Sequence, residues 1–179
     1  MEESRFKIGS ESNLGGPQLG NVELTIYVVP CGAAKLDHAA PAAELYIGAQ
    51  FRYVLNAALE LADANRNRVR ILSALHGLLE LDTVVEPYDV KMGHTASVAS
   101  WTLRKQLDDI KPNADLHVIA LTPNAYSDRL AAAIHEPASP MQGVRLTKAF
   151  AGCRGIGEQR GRVAELVRAY KAVQGREER

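Results

Sequence analysis

Short continuous apolar runs alternate along this chain with longer segments in which apolar residues recur every three or four positions. Val22–Val29 (VELTIYVV) is the first run, and its tail Ile26-Tyr27-Val28-Val29 lacks a polar face, the pattern of a strand covered on both sides. Pro30 and Gly32 stop it. Val69–Ala74 (VRILSA) and Leu116–Leu121 (LHVIAL) repeat the pattern, and Val144–Phe150 reads as a short edge strand. Phe51, Val54, Leu55, Ala58 and Ala62 recur at helical spacing, which predicts a helix from Ala42 or Gly48 to Ala64. Leu75–Gly93 carries little helix signal. Thr95 is placed as the N-cap of a helix that runs to Ile110, with Pro112 closing the region. Thr122 and Pro123 take the N-cap and first positions of the next, whose apolar stripe is Tyr126, Leu130, Ala133 and Ile134. A last helix over Gly157–Val173 buries Val163, Leu166, Val167 and Tyr170. Strands alternating with helices predict a three-layer αβα domain around a four-stranded, mainly parallel sheet.

Length and composition narrow this picture. The 179 residues suit one domain, placed at residues 21–175, behind a leader over residues 1–20 rich in Ser, Asn, Gly, Pro and Gln. An apolar fraction of 46% and a charged fraction of 23% exclude a disordered or fibrous chain. No apolar run approaches the roughly 20 residues needed to cross a bilayer, so no membrane partner is expected. Met1–Lys7 is charged and no apolar stretch follows, so no secretory signal is expected either. Cys31 and Cys153 are too few for a disulfide framework and lack zinc spacing, which points to a reducing cytoplasm.

Ligands of open α/β sheets bind outside the carboxyl ends of the strands. That rule selects Pro30–Tyr46, Ser73–Lys91 and Thr122–Tyr126, which hold most of the chemically suggestive residues. After the first strand come Cys31, Gly32, Lys35, Glu44 and Tyr46. Lys35 is either a point charge for a phosphate, an amine nucleophile, or a solvated loop residue. Cys31 is either a nucleophile or a small buried apolar side chain. After the second strand, His76 is placed to act as acid, base or hydrogen-bond donor, and Gly77 permits a sharp turn. Glu86-Pro87-Tyr88-Asp89 offers two carboxylates beside a ring on a loop long enough to suggest function. His94, His117 and His135 are scattered and read as structural.

Absent signatures count as well. GxGxxG after a strand, the P-loop, HExxH and GxSxG are all missing, so no metal or cofactor is expected. Gly152–Gly161 (GCRGIGEQRG) is read as a turn into the last helix whose amides suit a phosphate. The 21 basic and 21 acidic residues cancel, which excludes a chain coated in positive charge. They are unevenly spread: Met141–Ala172 holds seven basic residues, among them Arg154, Arg160 and Arg162, against Glu158 and Glu165, a net of +5. Such a strip is either a solvated helix face or a contact for a nucleic-acid backbone.

PCGAAKLDHAAPAAELYIGAQFR, LSALHGLLELDTVVEPYD and GCRGIGEQ together resemble an uncharacterised domain family of phages and bacteria. Its pattern is a PCSxxK strand end, LYxGxxF, SAxHGLLxPxxxxxPYD and a C-terminal GxxIGxQ turn, matched across most of residues 24–160. Gly32 replaces the usual Ser, Leu75 a common Lys and Leu81 a frequent Pro, which puts a catalytic role for position 75 in doubt. More distantly, the PCSxxK strand end is similar to a domain of archaeosine synthase with the uracil-DNA glycosylase type of fold. That resemblance implies a four-stranded parallel sheet with a base pocket at its carboxyl ends, and chemistry on a nucleobase or its glycosidic bond. The expectation is a DNA glycosylase-like enzyme acting on a modified base, for example glycosylated hydroxymethylcytosine, in conflict between phage and host. Asp89 would orient water, His76 would assist the departing base, and Lys35 would hold a phosphate or act as a nucleophile. Tyr46 or Tyr88 would stack on a flipped base, worth about 1–3 kcal/mol. Two alternatives stand: a base-modifying transferase or nucleotide-processing enzyme on free nucleotides, and a non-catalytic nucleotide or nucleic-acid binding module.

Overall fold

The computed structural model describes residues 23–110 and 115–177. The leader assigned to residues 1–20, the first residue of the first strand and the closing Pro112 lie outside the described residues. The elements are β1 (Glu23–Pro30), β2 (Ala40–Pro41), α1 (Ala42–Leu45), α2 (Ala49–Leu61), β3 (Val69–Ser73), β4 (Gly77–Leu79), β5 (Val84–Val85), α3 (Ser100–Ile110), β6 (Asp115–Ala120), α4 (Asn124–Ile134), β7 (Val144–Lys148) and α5 (Ile156–Glu177). The main sheet has the order β4-β3-β1-β6-β7, and β2 pairs with β5 separately.

β1 lies at the centre because it has no polar face to give to solvent. Ile26 and Val28 point into one apolar layer, with Leu103 and Leu107 of α3 and Leu130 and Ile134 of α4. Tyr27 and Val29 point into the other, with Phe51, Val54 and Ala58 of α2 and Val163 of α5. Each fully buried aliphatic side chain here contributes roughly 1.5–3 kcal/mol relative to exposure. β3 and β6 flank β1 in parallel, and β7 runs parallel to β6 at the edge. The fold is therefore mixed α/β, with a mostly parallel sheet and helices on both faces.

Three expectations need correction. The sheet has five strands instead of four, because β4 doubles back antiparallel on β3. Gly77 makes that reversal with a φ of +78°, and the Gln106 side chain occupies the space that a Cβ would need. A run of three residues is too short for periodicity to reveal. α3 begins at Ser100 instead of just after Thr95. Between them, the Val98 N–H donates to the Ala74 carbonyl (2.8 Å), and the Ser97 N–H and hydroxyl both turn back to the His94 carbonyl. These bonds hold the segment against the end of β3 and out of the helix. In α4 the N-cap position falls on Pro123, one residue later than expected, and no side chain caps it; the Thr122 hydroxyl is buried without a partner.

Candidate functional site

Since β1, β3 and β6 run parallel, their carboxyl ends lie together at one edge of the sheet, carrying Cys31, Ser73 and Thr122. The chain after β1 folds back on itself. Leu36 N–H donates to the Leu45 carbonyl (2.9 Å) and Ile47 N–H to the Ala34 carbonyl (3.1 Å), which sets Lys35 opposite Tyr46. Ala42 and Ala43 then donate to the Thr83 and Leu81 carbonyls. With the β2–β5 pair, these bonds tie the loop after β1 to the loop that carries Tyr88.

A buried polar cluster results. Ser73 is fully buried, and its Oγ accepts the N–H groups of Leu75 (3.1 Å) and His76 (2.9 Å). Both lone pairs are then used, so its proton donates to the Tyr88 hydroxyl at 2.8 Å. Tyr88 Oη in turn lies 2.9 Å from Tyr46 Oη. Burial pushes the Tyr46 phenol up to about 12 and raises Tyr88 further; the Cys31 sulfur nearby adds to both rises. The His76 ring meets Tyr88 edge-on with centroids 5.4 Å apart. Partial burial lowers the pKa of His76, which favours the neutral imidazole. The Lys35 ammonium sits over the Tyr88 ring at 4.5 Å and near that of Tyr46 at 5.8 Å, a cation–π arrangement.

On the other side of Cys31 opens a cavity of about 310 Å³, lined by Cys31, Gln50, Phe51, Tyr126, Ile156 and Gln159 among others. Tyr126 Oη lies 3.3 Å from Cys31 Sγ, and burial, with that sulfur second, raises the Tyr126 phenol too. Three helices start at this cavity: α2 through Gln50, α4 through Pro123 and α5 through Ile156. No side chain caps α2 or α4, so the leading amides of both are left for a ligand or water. The cavity lining contains neither a carboxylate nor a cation.

The fold thus brings together Cys31, Lys35, Tyr46, His76 and Tyr88, with Gly32 packed against Tyr46 and Phe51. It does not gather the carboxylates. Glu44, Glu86 and Asp89 are exposed, and none has a side-chain partner among the described residues; Asp89 is adjacent to the cluster only as the residue after Tyr88. The basic strip is tied up locally. Arg145, Lys148, Arg162 and Lys171 pair with Glu23, Asp128, Glu165 and Glu60. Arg160 donates to Gln50 Oε1 (2.8 Å) and lies over the Tyr53 ring. At Arg154 it is the backbone N–H that donates to Glu158 (2.9 Å), and the guanidinium has no carboxylate partner among the described residues. Ser73 and Tyr126 were not singled out from the sequence, where Tyr126 belonged to an apolar helix stripe. Their one visible signal is position, since both sit in strand-end segments. Among the described residues, no group of three or more His, Cys, Asp or Glu side chains is arranged to hold a metal. No helix among them is long and apolar enough to cross a membrane.

The model of a family of unknown function (DUF6884) matches residues 26–154, from within β1 to the turn before α5. No curated protein matches the chain.

Proposed function

We propose, for a chain that belongs to this family of unknown function, that it is an enzyme of the DNA glycosylase type, with a uracil-DNA glycosylase-like fold, acting on a modified nucleobase held at the strand ends. The observation that carries this reading is the convergence of Tyr46, Tyr88 and Tyr126 with His76, Lys35 and Cys31 beside a cavity where three helices start. The part-exposed Tyr88 and Tyr126 rings, with hydroxyl tips, suit the face and edge of a base, and uncapped helix starts suit a phosphate. Tyr46 is fully buried, so the expectation that it stacks on a base is corrected, and it serves only to hold Tyr88.

In this reading water adds at C1′ of the sugar, the C1′–N bond breaks, and the base leaves with a proton. Asp89, exposed beside Tyr88, orients the water. His76, neutral, donates a hydrogen bond to the charge that develops on the departing base. Lys35, held over two rings, supplies a fixed positive charge. The modified base, such as a glycosylated hydroxymethylcytosine, fits a role in conflict between phage and host.

The test is a strand carrying that base, incubated with the protein and then treated with alkali. Cleavage at the modified position is expected from the wild type, reduced at least 100-fold in His76→Ala and Asp89→Ala, the range of a lost acid–base group. Absence of abasic product from the wild type, or full activity in both variants, overturns the reading. One observation favours the free-nucleotide alternative: four of the seven strip cations already have carboxylate partners, which weakens that strip as a backbone contact. Release of the base from a mononucleotide but not from a strand would select it.

A further inference from the structure

Trp101, the only tryptophan of the chain, is 72% exposed in the first turn of α3. The helix explains why it points outward. Leu103 and Leu107 take the buried face, and Trp101, Lys105 and Asp108 follow one another on the opposite side. The start of α3 belongs to the rim of the strand-end site. Gln106 accepts from Leu78 N–H (2.8 Å) and donates to the His76 carbonyl (3.1 Å), and Val98 N–H bonds to Ala74 just past β3. Trp101 lies five residues before Gln106, about 7–8 Å along the helix at 1.5 Å per residue.

The charge around it differs from that of the α5 strip. Lys91, at the head of the loop that leads to α3, and Lys105, one helical turn beyond Trp101, have no carboxylate partner among the described residues. Arg129 reaches across from α4 only to the Ser97 hydroxyl (3.4 Å). Two exposed carboxylates follow on that side of the helix, Asp108 and Asp109, three and four residues beyond Lys105 and roughly 10–12 Å further along the helix from Trp101, and neither forms an ion pair with Lys105.

We infer that the start of α3 is a contact surface for a single nucleic-acid strand, with Trp101 stacking on an unpaired base and Lys91, Lys105 and Arg129 meeting its phosphates. An exposed ring flanked by unpaired cations is the combination that sequence-tolerant strand binding uses. This inference rests on the nucleobase reading of the adjoining site, and it places the strand on the α3 side of the mouth instead of along α5.

The experiment uses the full chain and an oligothymidylate of about 12 nucleotides, within the range of single-strand sites. Wild-type Trp101 emission should be quenched on binding. Anisotropy of labelled oligonucleotide should show affinity falling roughly tenfold in Trp101→Ala, the loss of one stacked base, and staying near wild type in Trp101→Phe. Lys105→Ala should lower the slope of log affinity against log salt by about one. Unchanged affinity in Trp101→Ala, or no oligonucleotide binding by the wild type, overturns the inference. Thermal melts with deoxycytidine monophosphate separate the two failures. If the mononucleotide raises the melting temperature while the oligonucleotide does not bind, only the α3 surface falls; if neither has an effect, the nucleobase reading falls with it.

Discussion

The strand-end cluster and the α5 strip both concentrate polar side chains, and they are built in opposite ways. In the cluster, Ser73, Tyr88 and Tyr46 satisfy one another out of water, so each hydroxyl depends on the next. In the strip, Arg145, Arg162 and Lys171 project into solvent and pair with whichever carboxylate lies near. Removing a member of the first leaves buried groups orphaned; removing one from the second leaves groups that water can solvate. The same residue types therefore carry different weight, and burial decides which.

The largest expected effect is at Ser73. Ser73→Ala strips the acceptor from the Leu75 and His76 N–H groups and the donor from Tyr88, with a cost of roughly 2–4 kcal/mol for the buried groups left unpaired. Urea unfolding measures it. A loss under about 0.5 kcal/mol would put Ser73 in the range of an ordinary surface site and erase the contrast with the strip.

Tyr46 gives the next effect, through pH. Its phenol is raised from 10.0 to about 12 by burial, so between those values the folded chain keeps a proton that the unfolded chain has released. The stability involved is complete below pH 10, and it is lost as pH rises toward 12. Melting temperatures across that window should fall in the wild type and fall less steeply in Tyr46→Phe. Equal slopes in the two proteins would mean that Tyr46 is open to water after all.

The smallest effect belongs to the strip. Arg162→Ala removes only an exposed pair at 3.8 Å with Glu165, and stability should stay within about 0.5 kcal/mol of the wild type. A larger loss in the same urea assay would show that the strip is structural.

Much of the layout was legible in advance where one local rule applied. β1, β3 and β6 are continuous apolar runs, and a strand without a polar face has to be internal to a parallel sheet. Once the strands are parallel, the segments after them share one edge, which groups Cys31, Lys35, Tyr46, His76 and Tyr88 by position, and groups Glu44, Glu86 and Asp89 with them equally. Other features depended on contacts distant in sequence. β4 needs Gln106, some thirty residues away, to fill the space beside Gly77. The late start of α3 follows from the bond between Val98 and Ala74.

What the sequence by itself determined is the class of fold and the edge of the sheet where polar chemistry collects, because both follow from periodicity and chain direction. Which polar residues depend on one another was decided by tertiary structure alone. Ser73 and Tyr126 join the site, while Glu44, Glu86 and Asp89 stay in solvent, and nothing in residue type or spacing separates the two groups. The physical reason is that a hydroxyl or carboxylate acquires its importance from the water it has lost, and only packing between distant segments removes that water.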